Sequence, residues 1–213
     1  MRACPDLSAI VGFDVSRETM ESLGAFAESI EKWSRKINLV SDATLQEIWT
    51  RHIVDSAQLI ASAPGSIGRW ADLGAGGGLP GIVVAILLKQ RKADTQFVLV
   101  ESDKRKAAFL KMMRDEHGLK AQIISDRIEH VEPLVADVVS ARALAPLDSL
   151  LAYVSRHIGA DGVAILPKGR NFRAELDQAK RTWQFELEIT NSTANQDARV
   201  LRISRLGRRI TAG

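Results

Sequence analysis

The chain's 213 residues are enough for one sizeable α/β domain with a small appendage and too few for two full domains. Its 46% hydrophobic and 26% charged residues exclude a disordered or low-complexity chain, and its longest apolar run, 82–88, is too short to span a bilayer. The net charge of +3 is unevenly spread: residues 1–66 carry six Lys and Arg against nine Asp and Glu, and the remainder 23 against 17, so an acidic front sits on a basic body suited to an anionic partner.

The first 66 residues read as a helical extension. Ser16 caps a helix running to about Asn38, with Met20, Leu23, Phe26, Ala27, Ile30 and Trp33 at three-and-four spacing. Thr44-Leu-Gln-Glu47 has the form of a capping box opening a second helix, with Ile48, Ile53, Ala57 and Ile60 along one side. Ala63-Pro-Gly-Ser66 ends it and marks the boundary to a main domain over 67–213. There the pattern predicts strands at 70–73, 97–101, 121–124, 137–141, 162–167, 185–190 and 200–204, with helices at 81–89, 104–117, 147–157 and 172–182. Repeated strand–helix units imply an α/β fold with a mostly parallel sheet. The last two strands are joined by a short polar loop, 191–197, with no room for a crossover helix, and so form an antiparallel pair.

The single cysteine, Cys4, and four scattered histidines (His52, His117, His130 and His157) offer neither a disulfide nor a metal-ligand spacing, so no metal is expected. The N-terminus lacks a basic-then-apolar signal pattern, which predicts a cytoplasmic protein with no membrane attachment.

The strongest local signal is Trp70-Ala-Asp-Leu-Gly-Ala-Gly-Gly-Gly-Leu-Pro-Gly81, a strand running through five glycines into an apolar helix. Glycines permit the turn and let a ligand approach the backbone, while the following helix offers free amides and a positive dipole end. Gly76, Gly78 and Gly81 satisfy G-x-G-x-x-G, and Glu101 follows by the spacing of a ribose-binding acid, so NAD fits as well as S-adenosylmethionine. Asp72, two residues before Gly74, and the terminal antiparallel pair favour adenosylmethionine, which carries no phosphate for an acid to repel.

Several segments resemble one family. Lys36-Ile-Asn-Leu-Val-Ser41, Arg51-His-Ile-Val-Asp-Ser56, Asp72-Leu-Gly-Ala-Gly-Gly-Gly-Leu-Pro-Gly81, Glu101-Ser-Asp-Lys-Arg-Lys106, Ser140-Ala-Arg-Ala-Leu-Ala145 and Leu166-Pro-Lys-Gly-Arg170 are similar, in order, to the bacterial small-subunit rRNA guanine-N7 methyltransferases, also called the glucose-inhibited division protein B family. Glu101 stands where the family commonly has Asp, and Gly77 where Pro is frequent. The resemblance implies a class I, Rossmann-like methyltransferase sheet, S-adenosylmethionine as donor, and N7 of guanosine 527 in the decoding-region loop of 16S rRNA as acceptor, free or in the small subunit. It further implies that Gly74 and Leu79 touch the cofactor, that Ile128 and Glu129 lie beside its adenosine, and that Arg142 stands at its edge. With Asp72, Gly76 and Glu101 these make up the expected cofactor-binding set.

Guanine N7 presents a lone pair and no proton at neutral pH, so no catalytic base is expected, only placement. Candidates for holding the guanine are Arg142, Lys168, Asn38 and His52. His52 and Asp55, three apart on a predicted helix, share a face whose plainer role is packing. The C-terminal arginines (199, 202, 205, 208 and 209) fit either an RNA track or a solvated edge strand, and the basic residues of 104–114 fit a solvated helix face. The four tryptophans read as core. The expected enzyme is a monomer. Its rivals are an NAD-dependent oxidoreductase and a noncatalytic RNA-binding module.

Overall fold

In a computed structural model, which describes residues 6–209, the alternating pattern becomes a seven-stranded sheet. The strands are β1 (Arg69–Leu73), β2 (Gln96–Val100), β3 (Ala121–Ile124), β4 (Ala136–Ser140), β5 (Ile158–Lys168), β6 (Trp183–Asn191) and β7 (Arg199–Arg208). They lie in the order β3-β2-β1-β4-β5-β7-β6. β1 to β5 pair in parallel, and β7 inserts antiparallel between β5 and β6. The chain moves outward from β1 to β3 and then returns to the other side of β1, so the strand order reverses between β1 and β4. Open α/β sheets bind ligands outside the strand carboxyl ends at such a reversal.

Strand residues alternate between two apolar cores. Trp70, Phe97, Leu99, Val138 and Ile165 face one core, and Ala71, Leu73, Val98, Val139 and Ala164 face the other. The first core is covered by helices α1 (Leu7–Val11), α2 (Arg17–Ile37), α5 (Gly81–Gln90) and α6 (Lys104–Glu116), together with the helical stretch described next. The second is covered by α7 (Leu147–His157) and α8 (Phe172–Thr182). Every residue of α5 from Gly81 to Leu88 is buried, which explains a helix rich in β-branched residues: packing outweighs propensity.

Ser16 caps α2 as expected, accepting from the Thr19 amide at 3.2 Å, and Asn38 ends it in the left-handed conformation. The capping box at Thr44 does not form. Thr44 lies inside a short helix, α3 (Asp42–Leu45), its hydroxyl donates to the Ser41 carbonyl, and Glu47 pairs instead with Arg51 at 2.9 Å. The next helical stretch begins with a π-helical segment, Trp49–Val54, continues as α4 (Asp55–Ala57) and ends in a 3-10 turn, Gln58–Ser62. Its Ile48, Ile53, Ala57 and Ile60 are buried as the spacing requires.

The expected boundary at 66 falls in the connection from this turn to β1, but apolar packing runs across it: α2 and α4 pack on α5 in one core. The antiparallel strands are longer than expected, and β5 starts directly from the end of α7. Trp70 and Trp183 are buried, whereas Trp33 and Trp49 are half-buried. Cys4 lies outside the described residues. Among those described, no helix is long and apolar enough to cross a membrane, and no cluster of His, Cys, Asp and Glu could hold a metal ion.

Candidate functional site

The loops after β1, β2, β3 and β4 enclose a cavity of about 430 Å³. Gly74, Gly76 and Leu79 line it from the first loop, Glu101 from the second, Ile128 and Glu129 from the third, and Arg142 from the fourth. Seven of the eight residues expected to bind the cofactor therefore meet at one place. At Gly76, φ is +54°, and a Cβ there would have no atom closer than 3.8 Å, so the backbone is bare toward the cavity.

Asp72 is the exception. It is 1% exposed, lies beneath the loop and does not line the cavity. One carboxylate oxygen accepts from the Gly81 amide at 2.9 Å, at the start of α5, and the other from the Ser140 hydroxyl at 2.8 Å. Ser140 accepts in turn from the Trp70 indole at 2.9 Å. Burial pushes the Asp72 carboxyl up to about 7, against the opposing pull of the Ser140 hydroxyl, the Gly81 amide and the Arg142 charge. A Cβ on Gly81 would come within 2.7 Å of this carboxylate. The acid two residues before Gly74 therefore orients the loop from beneath, bonded to the first amide of α5.

Glu101 also braces the loop. One oxygen accepts from the Gly76 amide at 2.8 Å and the other from the Asp103 amide at 2.7 Å, leaving further lone pairs on both. The amides of Ala75, Gly78, Leu79 and Ile82 donate to backbone carbonyls nearby. Six amides of the glycine loop and the start of α5 are thus already used inside the protein, which leaves those of Gly74 and Gly77, both lining the cavity, without a partner among the described residues.

Arg142 also lines a second cavity of about 430 Å³, formed with Asp55, Ala143–Pro146, Pro167–Gly169, Glu175 and Ala198. Its guanidinium donates to the Arg51 carbonyl at 3.2 Å and pairs with Asp55 at 3.5 Å, both side chains being under a fifth exposed. Burial pushes Asp55 up and Arg142 down, and each one's charge draws the other back. Asp55 further accepts from Gln58 at 2.7 Å and from Ser192 at 3.4 Å, which ties the β6–β7 connection to Arg142. Ala143, between the two cavities, takes φ of +51°, a strained backbone for a residue with a Cβ.

The other guanine-holding candidates are placed differently. Lys168 lines the second cavity, but its ammonium donates to the Ala145 carbonyl at 2.9 Å and to Glu175 at 2.8 Å, and so braces the 143–146 loop. His52 is 7% exposed, bonds Thr44 through Nε2 at 2.9 Å and lines neither cavity. Burial, with the Arg142 and Arg51 charges, pulls it down to about 4. It has no bonding partner in common with Asp55, which bonds Arg142, Gln58 and Ser192. Asn38 is exposed and lines neither cavity, although its neighbour Leu39 lines the first.

Lys106, Asp126, Arg127, Leu144 and Tyr153 also line the first cavity without having been singled out for it. Asp126 and Arg127 directly follow β3, so the strand-end rule alone would have found them; Tyr153, on a helix, carried no such signal. Four of the five C-terminal arginines have side-chain partners within the protein. Arg202 meets Glu188 and the Ser62 carbonyl, Arg205 meets Glu186, and Arg199 and Arg208 lie over the Phe172 and Trp183 rings.

A family model described as rRNA small subunit methyltransferase G matches residues 19–201. The ribosomal RNA small subunit methyltransferase G of Ruegeria pomeroyi is 46% identical over 201 residues, covering 94% of this chain and 96% of its own. That of Paracoccus denitrificans is 47% identical over 193 residues, covering 90% and 97%. Among solved structures, a putative S-adenosyl-L-methionine-dependent methyltransferase from Methanococcus maripaludis superposes with a TM-score of 0.58 at 14% identity, over 94% of this chain and all of that one. A TehB-like SAM-dependent methyltransferase from Corynebacterium glutamicum gives 0.56 at 17% identity, over 85% and 98%. At these identities the structures speak for the fold, and the sequence relatives for the family: the chain belongs to the rRNA small subunit methyltransferase G family.

Proposed function

We infer that the chain is an S-adenosylmethionine-dependent methyltransferase acting on N7 of a guanine in small-subunit ribosomal RNA, guanosine 527 of the 16S decoding-region loop. The observation that carries the choice of donor is the internal use of two key loop amides: Glu101 holds Gly76 and Asp72 holds Gly81, so a dinucleotide pyrophosphate would find the second glycine and the first amide of α5 already taken by carboxylates. The cavity offers both carboxylates and cations, with Glu101 and Glu129 to accept from hydroxyls and amines and Lys106 and Arg127 among the cations that can meet a carboxylate. That donor set fits a zwitterionic amino acid joined to a nucleoside. The substrate rests on the relatives, whose names specify small-subunit ribosomal RNA.

When bound, S-adenosylmethionine supplies a methyl group on a sulfonium. The chain's own task is then to place N7, since that atom has no proton to lose. Arg142, shared by the two cavities, is the donor best sited to orient the base through O6 and leave N7 free. Lys168 and Glu175 keep the intervening loop in position. Holding two reactants in near-attack geometry can supply roughly 7–11 kcal/mol of the barrier.

The test uses small subunits, and rRNA extracted from them, from a strain lacking the protein. Incubation with enzyme and S-adenosylmethionine is expected to add one methyl mass to a single guanosine and to make the strand cleavable there by N7-specific chemistry. No gain, or a methyl on another atom, would reject the assignment.

A further inference from the structure

Helix α7 presents Tyr153, Arg156 and His157, three and four residues apart, to a single target. His157 is fully buried, and its Nε2 donates to the Ile128 carbonyl at 3.0 Å. Its Nδ1 is buried with no hydrogen-bond partner among the described residues, which fixes a neutral ring with the proton on Nε2. Arg156 donates from two nitrogens to the Val131 carbonyl, at 3.1 and 3.0 Å. The Tyr153 hydroxyl donates to Glu129 at 2.9 Å while the residue itself lines the first cavity.

All these bonds end on residues 128–131, where Ile128 and Glu129 form part of the cavity wall. The same helix begins on another part of that wall. Its first amide, at Leu147, donates to Glu175 at 2.8 Å, and the residues leading into it, Arg142 to Leu144, line the cavity as well. Each acceptor lies more than twenty residues away along the chain, so these are tertiary choices and not local helix chemistry. A carboxylate has about four acceptor sites, so Glu129 keeps capacity for a ligand N–H or O–H after Tyr153 has bound it.

We propose that Tyr153 is a cofactor-binding residue and that Arg156 and His157 are positioning residues, which together shape the wall that takes the adenosine half of the methyl donor. This rests on the reading that Ile128 and Glu129 lie beside that adenosine. The test is calorimetric titration with S-adenosylhomocysteine and with methylthioadenosine, which keeps the adenosine and lacks the amino acid.

Tyr153→Phe is expected to weaken both ligands by a similar factor, about 3–10-fold for one lost hydrogen bond. His157→Asn is expected to weaken both further, and His157→Gln, whose amide nitrogen can stand near the Nε2 position, to recover most of the loss. Unchanged methylthioadenosine affinity in Tyr153→Phe would overturn the proposal, as would equal losses in the Asn and Gln variants. Failure of the unaltered protein to bind either ligand would overturn the adenosine reading and the proposal together.

Discussion

The floor of the first cavity and the passage to the second are built on opposite plans. The floor comes from one continuous stretch, 72–81, in which the amides of Ala75, Gly76, Gly78, Leu79 and Gly81 are held by Asp72, Glu101 and nearby carbonyls. The passage comes from segments far apart in the chain. Arg142 is held by Asp55 across 87 residues, and Asp55 by Ser192 across 137. The floor is closely bonded, with Gly76 and Gly81 held at 2.8 and 2.9 Å, whereas the passage contains a 3.5 Å ion pair and the left-handed Ala143. A rigid floor suits a donor that binds the same way at every turnover; a passage tied to three distant elements suits an acceptor that arrives as part of a large RNA.

Breaking the floor is expected to have the largest effect. Gly81→Ala pushes a methyl group to within 2.7 Å of the buried Asp72 carboxylate and 3.1 Å of Leu99. Overpacking of this kind should cost about 3 kcal/mol in urea unfolding and abolish measurable donor binding in calorimetry.

Breaking the passage should separate transfer from donor binding. Asp55→Asn leaves the half-buried Arg142 without its counter-charge. Methyl transfer to small subunits is expected to fall about 10–100-fold, with a stability loss of about 1–2 kcal/mol and S-adenosylhomocysteine affinity changed less than about threefold. Equal loss of affinity and turnover would mean that Asp55 serves the donor site alone.

The two regions should also respond to pH with opposite signs. Asp72, pushed up to about 7 from an ordinary 3.8, binds its proton more tightly in the folded state, so its contribution to stability is lost as pH rises across that window. His52, pulled down to about 4 from 6.5, is held neutral by folding, so its contribution is lost as pH falls across that window. His52→Gln should therefore gain stability relative to the unaltered protein between pH 6.5 and 4, measured by urea unfolding. A difference independent of pH would contradict the assigned burial of the imidazole. The smallest expected effect is that of Ala143→Gly, which relieves a positive φ and should raise the melting temperature, with a gain of at most about 1 kcal/mol.

The same contrast governs what could be read from residues alone. The strands and helices of 69–208 were legible because a buried parallel sheet imposes long apolar runs, and the glycine loop because its chemistry is local. Strand ends pointed to Arg142 and Lys168, which both line the second cavity, but not to Lys168's use as a brace for Ala145. Asp72 was legible as special but not its partner, since an acid beside a glycine loop reads alike whether it faces a ligand or the first amide of the next helix. Ser140 was quoted within a motif, yet its link to Asp72 depends on the pairing of β1 with β4, which no local pattern carries. His52 and Asp55 read as a pair under helical spacing, yet one bonds Thr44 and the other Arg142, partners that spacing along the chain cannot name. Tyr153 was invisible because a tyrosine on an amphipathic helix is ordinary until the turn beneath it is known.

The central claim is that carboxylates within the protein hold the Gly76 and Gly81 amides, so that the site takes a methyl donor and not a dinucleotide. Parallel calorimetric titrations with S-adenosylmethionine and NADH test it most directly. Saturable one-to-one binding of S-adenosylmethionine with no heat from NADH is the predicted result; saturable NADH binding without S-adenosylmethionine binding would contradict it.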